Sequence, residues 1–140
     1  MSSTLSIETR GRGLYEFTRD VAALAPATGA GLCHLFIRHT SASLIITENA
    51  APAVRGDLER FFGDLVPDGD PRYAHDDEGP DDMPAHVRSV LTQMSLSIPY
   101  RNGQLLLGTW HGAFLWEHRH AAPRRAVGVT FVPEAVQLFP

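Results

Sequence analysis

Polar and apolar positions alternate strictly at the start of the chain. Over residues 4–9, Leu5 and Ile7 are interleaved with polar side chains, the period of a half-buried strand. Gly11 and Gly13 interrupt the pattern, and residues 14–17 resume an extended one. A short helix is predicted over 20–25, capped by Thr18 and stopped by Pro26. Residues 32–38 and 43–47 read as two aliphatic strands separated by His39-Thr40-Ser41. Next comes a helix capped by Asn49 with Pro52 in its first turn. There Val54, Leu58, Phe61 and Phe62 recur at helical spacing and predict a buried stripe. Residues 67–71, Pro-Asp-Gly-Asp-Pro, are loop by composition. A second helix starts at Asp81 or Asp82 with Pro84 early in it, and Met83, Val87, Val90, Leu91 and Met94 are its expected inward face. Everything from residue 95 onward reads as strand, in pieces over 96–100, 105–109, 113–117 and 125–132. Asn102-Gly103 carries the type I′ hairpin signature, because both residues tolerate positive φ. Helices in the middle and strands at both ends predict an α+β fold with two main central helices and a largely antiparallel sheet. No repeat or linker divides residues 1–140, which read as one domain.

Composition narrows the function classes. The chain has 140 residues, 44% hydrophobic and 20% charged, which excludes a disordered polymer. Its net charge of −4 argues against a nucleic-acid partner, which calls for a basic surface. All 12 basic residues are Arg, so a Schiff-base lysine and a P-loop lysine are both absent. The single Cys33 allows neither an internal disulfide nor a cysteine zinc cage. No apolar run reaches the length of a membrane span and the N-terminus lacks a signal-peptide core, so no membrane partner and a cytoplasmic location are expected. The 7 histidines are the unusual feature of the composition.

Three segments place polar side chains where secondary structure alone would not need them. His39-Thr40-Ser41-Ala42-Ser43 follows an apolar strand directly. It offers an imidazole for proton transfer or metal binding and hydroxyls suited to phosphate oxygens, or else a polar turn whose hydroxyls cap backbone groups. Residues 75–86 place five carboxylates within seven positions, between His75 and His86. That density of charge calls for a cation or a helix N-terminus. Asp81 and Asp82 are expected to cap the helix, whereas Asp76, Asp77 and Glu78 precede it. His86 falls between Met83 and Val90 and is read as lying on or beside the inward face. The third segment is Gly108-Thr109-Trp110-His111-Gly112, followed by Trp116-Glu117-His118-Arg119-His120. Trp110, Trp116, His111, His118, His120 and Glu117 suit a small-ligand pocket, or alternatively Trp110 and Trp116 are core and His118-Arg119-His120 a solvated strand end. Glu117 and His118 are neighbours on a strand and face opposite sides. Arg119, Arg124 and Arg125 carry guanidinium forks suited to phosphate, or serve as surface charge.

HTSASLIITENA at 39–50, HDDEGPDDMPAH at 75–86 and SLSIPYRNGQLLLGTWHGAFLWEHR at 95–119 together resemble the three hallmark blocks of the YjbQ family, also called secondary thiamine-phosphate synthases. The resemblance extends over residues 5–132. It implies an α+β subunit with a mixed sheet, and a homotrimer whose sheets pack around the threefold axis with sites between subunits. It maps the family's histidines onto His39, His75, His86 and His118. The implied activity is a weak one, joining the phosphorylated pyrimidine and thiazole halves of thiamine. Two departures stand out: His111 occupies a position where the family usually has Gln, and residues 134–140 run past the usual end, with Val136, Leu138 and Phe139 expected to pack across a subunit boundary.

The resulting expectation is an enzyme acting on a small phosphorylated molecule or anion. His39, His86 and His118 bind a divalent cation or act as acid–base groups, with His75 and Asp76 as further cation ligands. Thr40, Ser41, Ser43, Trp110 and Arg119 hold the substrate. Histidine ligands favour zinc over magnesium. The alternative is a trimeric protein that binds a metal or small ligand without dedicated catalysis.

Overall fold

The computed structural model describes residues 2–121 and 123–135. Strands β1 (Ser2–Glu8), β2 (Gly13–Glu16), β3 (Ala30–Ile37) and β4 (Ala42–Glu48) form the first half, with helix α1 (Thr18–Ala22) between β2 and β3. Helices α2 (Pro52–Leu65) and α3 (Asp82–Leu91) follow. Strands β5 (Ser95–Arg101), β6 (Gln104–Leu105), β7 (His111–Glu117) and β8 (Arg124–Pro133) complete it. The fold is α+β, with every strand pair among the described residues antiparallel. One sheet runs β1-β8-β3-β5-β6 and the other β2-β7-β4. The expected tail contacts of Val136, Leu138 and Phe139 lie outside the described residues. No helix among the described residues is long and apolar enough to cross a membrane.

The period of two explains the core. Along β3, Cys33, Leu35 and Ile37 point inward; β5 adds Leu96, Ile98 and Tyr100, and β8 adds Val127, Val129 and Phe131. Ala42, Leu44, Ala113 and Leu115 of the second sheet face them. The opposite face of the larger sheet leaves Leu32, Phe36 and Val132 about half exposed. Burial by desolvation pushes the Cys33 thiol up to about 11, so it behaves as a small core hydrophobe. β7 differs from the other strands because both its faces are covered. Ala113, Leu115 and Glu117 point between the sheets, while Phe114, Trp116 and His118 are buried on the face opposite. On that face Trp116 meets Phe62 of α2 and His118 meets Arg88 of α3.

Several sequence expectations are corrected in detail. Thr18 begins α1 instead of capping it, because its hydroxyl is engaged by the Glu16 carboxylate at 2.8 Å and the Ala113 N–H at 2.9 Å. Asn49 does not cap α2 either; its amide bonds Glu16 and the His111 carbonyl. The strand expected at 105–109 stops after Leu105. Its pairing continues only as Leu106 N–H donating to the Pro99 carbonyl, and Pro99 has no N–H to return. The hairpin itself is as expected, with Asn102 and Gly103 at φ of 47° and 81°.

The two main helices depart furthest from their patterns. No residue of α2 is fully buried, and Phe61 of its expected stripe is 60% exposed. Of the expected inward face of α3, Val90 is 82% exposed and Leu91 55%, whereas Met83 and Val87 are half-buried and Met94 packs against the core. Pro84, Ala85, Arg88 and Ser89 are buried instead. A charged residue inside needs a paired partner, and Arg88 finds Glu59 on α2 and His118 immediately after β7. The apolar side of α3 is left uncovered within one chain.

The two sheets are also tied by an ion pair. Arg125 of β8 holds Glu117 of β7 in a fork, with Nε 2.7 Å from Oε1 and Nη2 on Oε2, and both side chains are buried. Thr9 and the Arg119 N–H complete the carboxylate's bonds. Removing one charge strands the other, so Glu117→Gln is expected to cost about 3–5 kcal/mol. The double variant Glu117→Leu with Arg125→Met removes both charges and should recover most of that loss. Urea unfolding at one fixed protein concentration checks both; a Glu117→Gln variant as stable as the parent contradicts the account.

Candidate functional site

The acidic block is organised by helical geometry. Asp82 and His86 are four residues apart on α3, so their side chains share a face. His86 Nε2 lies 3.3 Å from Asp82 Oδ2, and His75, from the preceding loop, brings its Nε2 to 2.8 Å from the same oxygen. The three ligand atoms all fall within 4.8 Å of one another. The His75 and His86 rings meet edge to face, 5.6 Å apart. Among the described residues only one other such group occurs, the exposed His75, Asp77 and Glu78, and Asp76 belongs to neither.

The partners of each group define its protons. A carbonyl only accepts, so the 3.0 Å contact between His86 Nδ1 and the Thr40 carbonyl places a proton on Nδ1. In its neutral form His86 therefore has its lone pair on Nε2, the nitrogen that faces Asp82. The two oxygens of Asp82 face different partners. Oδ1 accepts from Arg119 Nη1 at 2.7 Å, and Oδ2 faces the imidazoles. Burial opposes its charge, but His75, His86 and Arg119 outweigh it and lower the carboxyl's pKa. The bond to Asp82 raises His75 against a smaller desolvation effect.

This donor set fits a zinc-class cation. Two imidazoles and one carboxylate suit zinc, and ligands of a tetrahedral zinc lie about 3.3 Å apart. The His86–Asp82 separation has that value. His86 also carries the fixed outer hydrogen bond that orients metal-ligating imidazoles. The site borders two cavities. One, of about 310 Å³, includes His75, Asp76, Tyr73 and Met83 in its lining, and the other, of about 300 Å³, is an apolar hollow of Met83, His86, Val87, Val90 and Leu91.

His118 belongs to a different compartment. It is fully buried, and Arg88 Nε donates to its Nδ1 at 3.0 Å. Its proton is therefore on Nε2, which donates to Ser43 Oγ at 2.8 Å. The Thr92 hydroxyl closes the loop, bonded to Ser43 Oγ at 2.6 Å and to the Arg88 carbonyl at 2.7 Å. Arg88 rests over the Trp116 ring at 5.4 Å and pairs with Glu59, which also accepts the Trp116 indole N–H. Burial, then the guanidiniums of Arg88 and Arg12, lower the His118 pKa to about 2. Both ring nitrogens are taken, and the imidazole stays neutral.

His39 lies at a third position. Its Nε2 accepts the Ala126 N–H at 2.8 Å, and burial followed by the Arg125 charge lowers its pKa. Ser41 Oγ accepts from Arg125 at 3.0 Å. His39, His86 and His118 thus do not form one ligand group. Of the residues expected to bind substrate, Ser41 and Ser43 are engaged internally, and Arg119 is held by Asp81, Asp82 and the Glu78 carbonyl. Thr40 and Trp110 are exposed. Trp110 lies in the loop before His111, whose Nδ1 accepts the Gly108 N–H.

Asp82 was expected to cap α3, but it makes no capping bond and faces the two histidines instead. The i, i+4 spacing of Asp82 and His86 signals that role. The Glu59–Arg88–His118 chain has no comparable local signal, because its members are 29 and 30 positions apart.

A model of the family described as UPF0047 protein YjbQ-like matches residues 3–134. A UPF0047 protein of Synechocystis is 54% identical over 125 residues, covering 88% of this chain and 85% of that one. The YjbQ protein of Salmonella typhimurium is 45% identical over 129 residues, covering 89% and 92%. A solved structure of a conserved hypothetical protein from Thermus thermophilus superposes with a TM-score of 0.85 at 34% identity, covering 93% of this chain and 99% of that one. A YbjQ-like protein of unknown function from Sulfolobus solfataricus shares the fold at a TM-score of 0.82 and 19% identity, over 96% and 97%.

The neutrality of His118 has a pH consequence. Above pH 6.5 neither the folded nor the unfolded state protonates it. Below that, the unfolded chain takes up a proton that the folded one refuses until pH falls to about 2. Stability should therefore drop as pH falls below 6.5, with His118 contributing up to about 1.4 kcal/mol per pH unit. His75, shifted upward, acts in the opposite sense. Comparing His118→Gln with the parent isolates His118, because His75 is present in both. Unfolding free energies at pH 7, 6 and 5 should give a shallower slope for the variant, and equal slopes would refute the buried neutral imidazole.

Proposed function

Because the chain belongs to the YjbQ-like UPF0047 family, we propose that it is a cytoplasmic, homotrimeric enzyme that holds a divalent cation on His75, Asp82 and His86 and acts on a small phosphorylated substrate. The observation that carries this reading is the convergence of two imidazole nitrogens and one carboxylate oxygen within 4.8 Å. The reaction proposed is of the secondary thiamine-phosphate synthase type. A phosphorylated thiazole nitrogen displaces pyrophosphate from the carbon of the phosphorylated pyrimidine half, giving thiamine phosphate. Such a displacement depends on positioning and on neutralising phosphate charge more than on a protein nucleophile. A zinc-class cation supplies that positive charge when bound.

The chain's own residues divide the remaining tasks. Thr40 holds the Nδ1–H of His86, which leaves Nε2 as the nitrogen that would meet the cation. The exposed Thr40 hydroxyl and Trp110 are free to meet substrate. His39 and His118 act as fixed neutral hydrogen-bonding groups, and their lowered pKa values suit that role. Arg119 supports the site from behind through Asp82, while Ser41 and Ser43 brace Arg125 and His118.

Self-association is part of the proposal. The uncovered face of the larger sheet carries Leu32, Phe36 and Val132 at 48%, 45% and 52% exposure. In register beside them lie Ser95, Pro99 and Gly128. Large apolar knobs next to small residues on one sheet face suit packing against another copy.

Metal analysis of the purified protein should find one zinc-class ion per subunit, lost in Asp82→Asn and His86→Ala. Those variants should also lose turnover of the two thiamine precursors by at least about 100-fold, as expected when a metal-assisted step loses its ion. A full complement of metal without turnover would favour a binding protein. An absence of metal, with turnover unaffected by either substitution, would overturn the proposal. Light scattering should give a trimer for the parent and a smaller species for Phe36→Asp. An unchanged mass in that variant would place the interface elsewhere.

A further inference from the structure

We propose that Arg119 is a positioning residue that makes Asp82 a one-oxygen ligand; this rests on the cation reading of His75, Asp82 and His86. A carboxylate can bind a cation through either or both of its oxygens. Here the two oxygens have separate partners. Oδ1 accepts from Arg119 Nη1 at 2.7 Å, while Oδ2 faces His75 Nε2 at 2.8 Å and His86 Nε2 at 3.3 Å. The Asp82 side chain is only 4% exposed, so it has little room to turn both oxygens toward the imidazoles.

Arg119 itself is held on each edge of its guanidinium. Nε donates to Asp81 Oδ2 at 3.2 Å, and Nη2 donates to the Glu78 carbonyl at 2.9 Å. Asp81 is fixed in turn by the His120 N–H at 2.8 Å. The fork therefore spans the junction between the acidic loop and α3, and joins it to the segment that follows β7. A lysine has no such fork, because its ammonium is a point charge with no fixed plane. These bonds also remove Arg119 from the set of free phosphate receptors, the role its residue type first suggests.

The chemical consequence concerns coordination number. Two imidazoles and a one-oxygen carboxylate occupy three positions and leave a fourth open, which is the pattern of catalytic zinc sites. A two-oxygen Asp82 would crowd that position and, with the exogenous ligand bound, raise the coordination number above four. Arg119 thereby keeps the site open to an exogenous ligand oxygen or nitrogen without touching it.

The test uses the full-length protein in three forms: parent, Arg119→Met and Arg119→Lys. Zinc affinity is measured by competition with a chromophoric chelator, and the cobalt-substituted proteins are compared by visible absorption. Arg119→Met should bind zinc roughly 10–100-fold more weakly, the usual effect of losing an outer-shell partner. Its cobalt bands should weaken as coordination rises above four, and Arg119→Lys should fall between the two. Circular dichroism of the metal-free variants checks that the fold survives. Parent-like affinity and cobalt spectrum in Arg119→Met would overturn the inference. If that variant does not fold, Arg119→Lys decides: weaker binding with weaker bands supports the inference, and parent-like behaviour overturns it. A parent protein that binds neither zinc nor cobalt would instead overturn the cation reading itself, before any variant is compared.

Discussion

The alternation of side chains along β7 governs how the polar groups of this protein are distributed. Because both faces of the strand are covered, consecutive residues enter different buried compartments. Glu117 points between the sheets and is neutralised by Arg125, while His118 points to the other face and is met by Arg88. A strand with one face in water would let one of these side chains hydrate. Here each needs a dedicated partner, since a buried charge or an unpaired polar group is costly. β8, α2 and α3 each contribute one residue to meet that demand, namely Arg125, Glu59 and Arg88. The packing of three elements is thus coupled to one dipeptide.

The partner atoms also decide the chemistry of each histidine. His86 has a carbonyl behind Nδ1 and so turns its other nitrogen, Nε2, toward Asp82. His118 has a guanidinium donor at Nδ1 and so turns a proton toward Ser43. His39 accepts a backbone N–H at Nε2. Residues of one type, all within segments that resemble the family's blocks, take different roles through the single group each one faces. Only His75 and His86 are left able to meet one another over a shared carboxylate.

Much of this was legible in the sequence at the level of elements and little of it at the level of partners. The alternation at Leu5 and Ile7 and the Asn102-Gly103 turn became β1 and the β5–β6 hairpin. The two main helices were located correctly, and α3 was misread in part of its orientation. Val90 and Leu91 look inward by hydrophobicity, yet α3 buries Arg88 because Glu59 and His118 await it. Asp82 was legible through its spacing from His86 once the helix is drawn, whereas Asp76, adjacent to His75 in sequence, joins neither ligand group. The Arg125–Glu117 pair joins strands of different sheets and leaves no pattern in a local window.

By itself the sequence determined the alternation, the turns, the helix positions and the three blocks that mark the family, because each of these depends on residues within a few positions of one another. Only the tertiary structure decided which histidines share a carboxylate, which way α3 faces, and that Arg119 backs Asp82. Those outcomes depend on side chains brought together from distant parts of the chain, such as Arg119 with Asp82 and His86 with Thr40. Burial then makes such pairing strongly favoured, because a polar atom removed from water and left without a partner is costly.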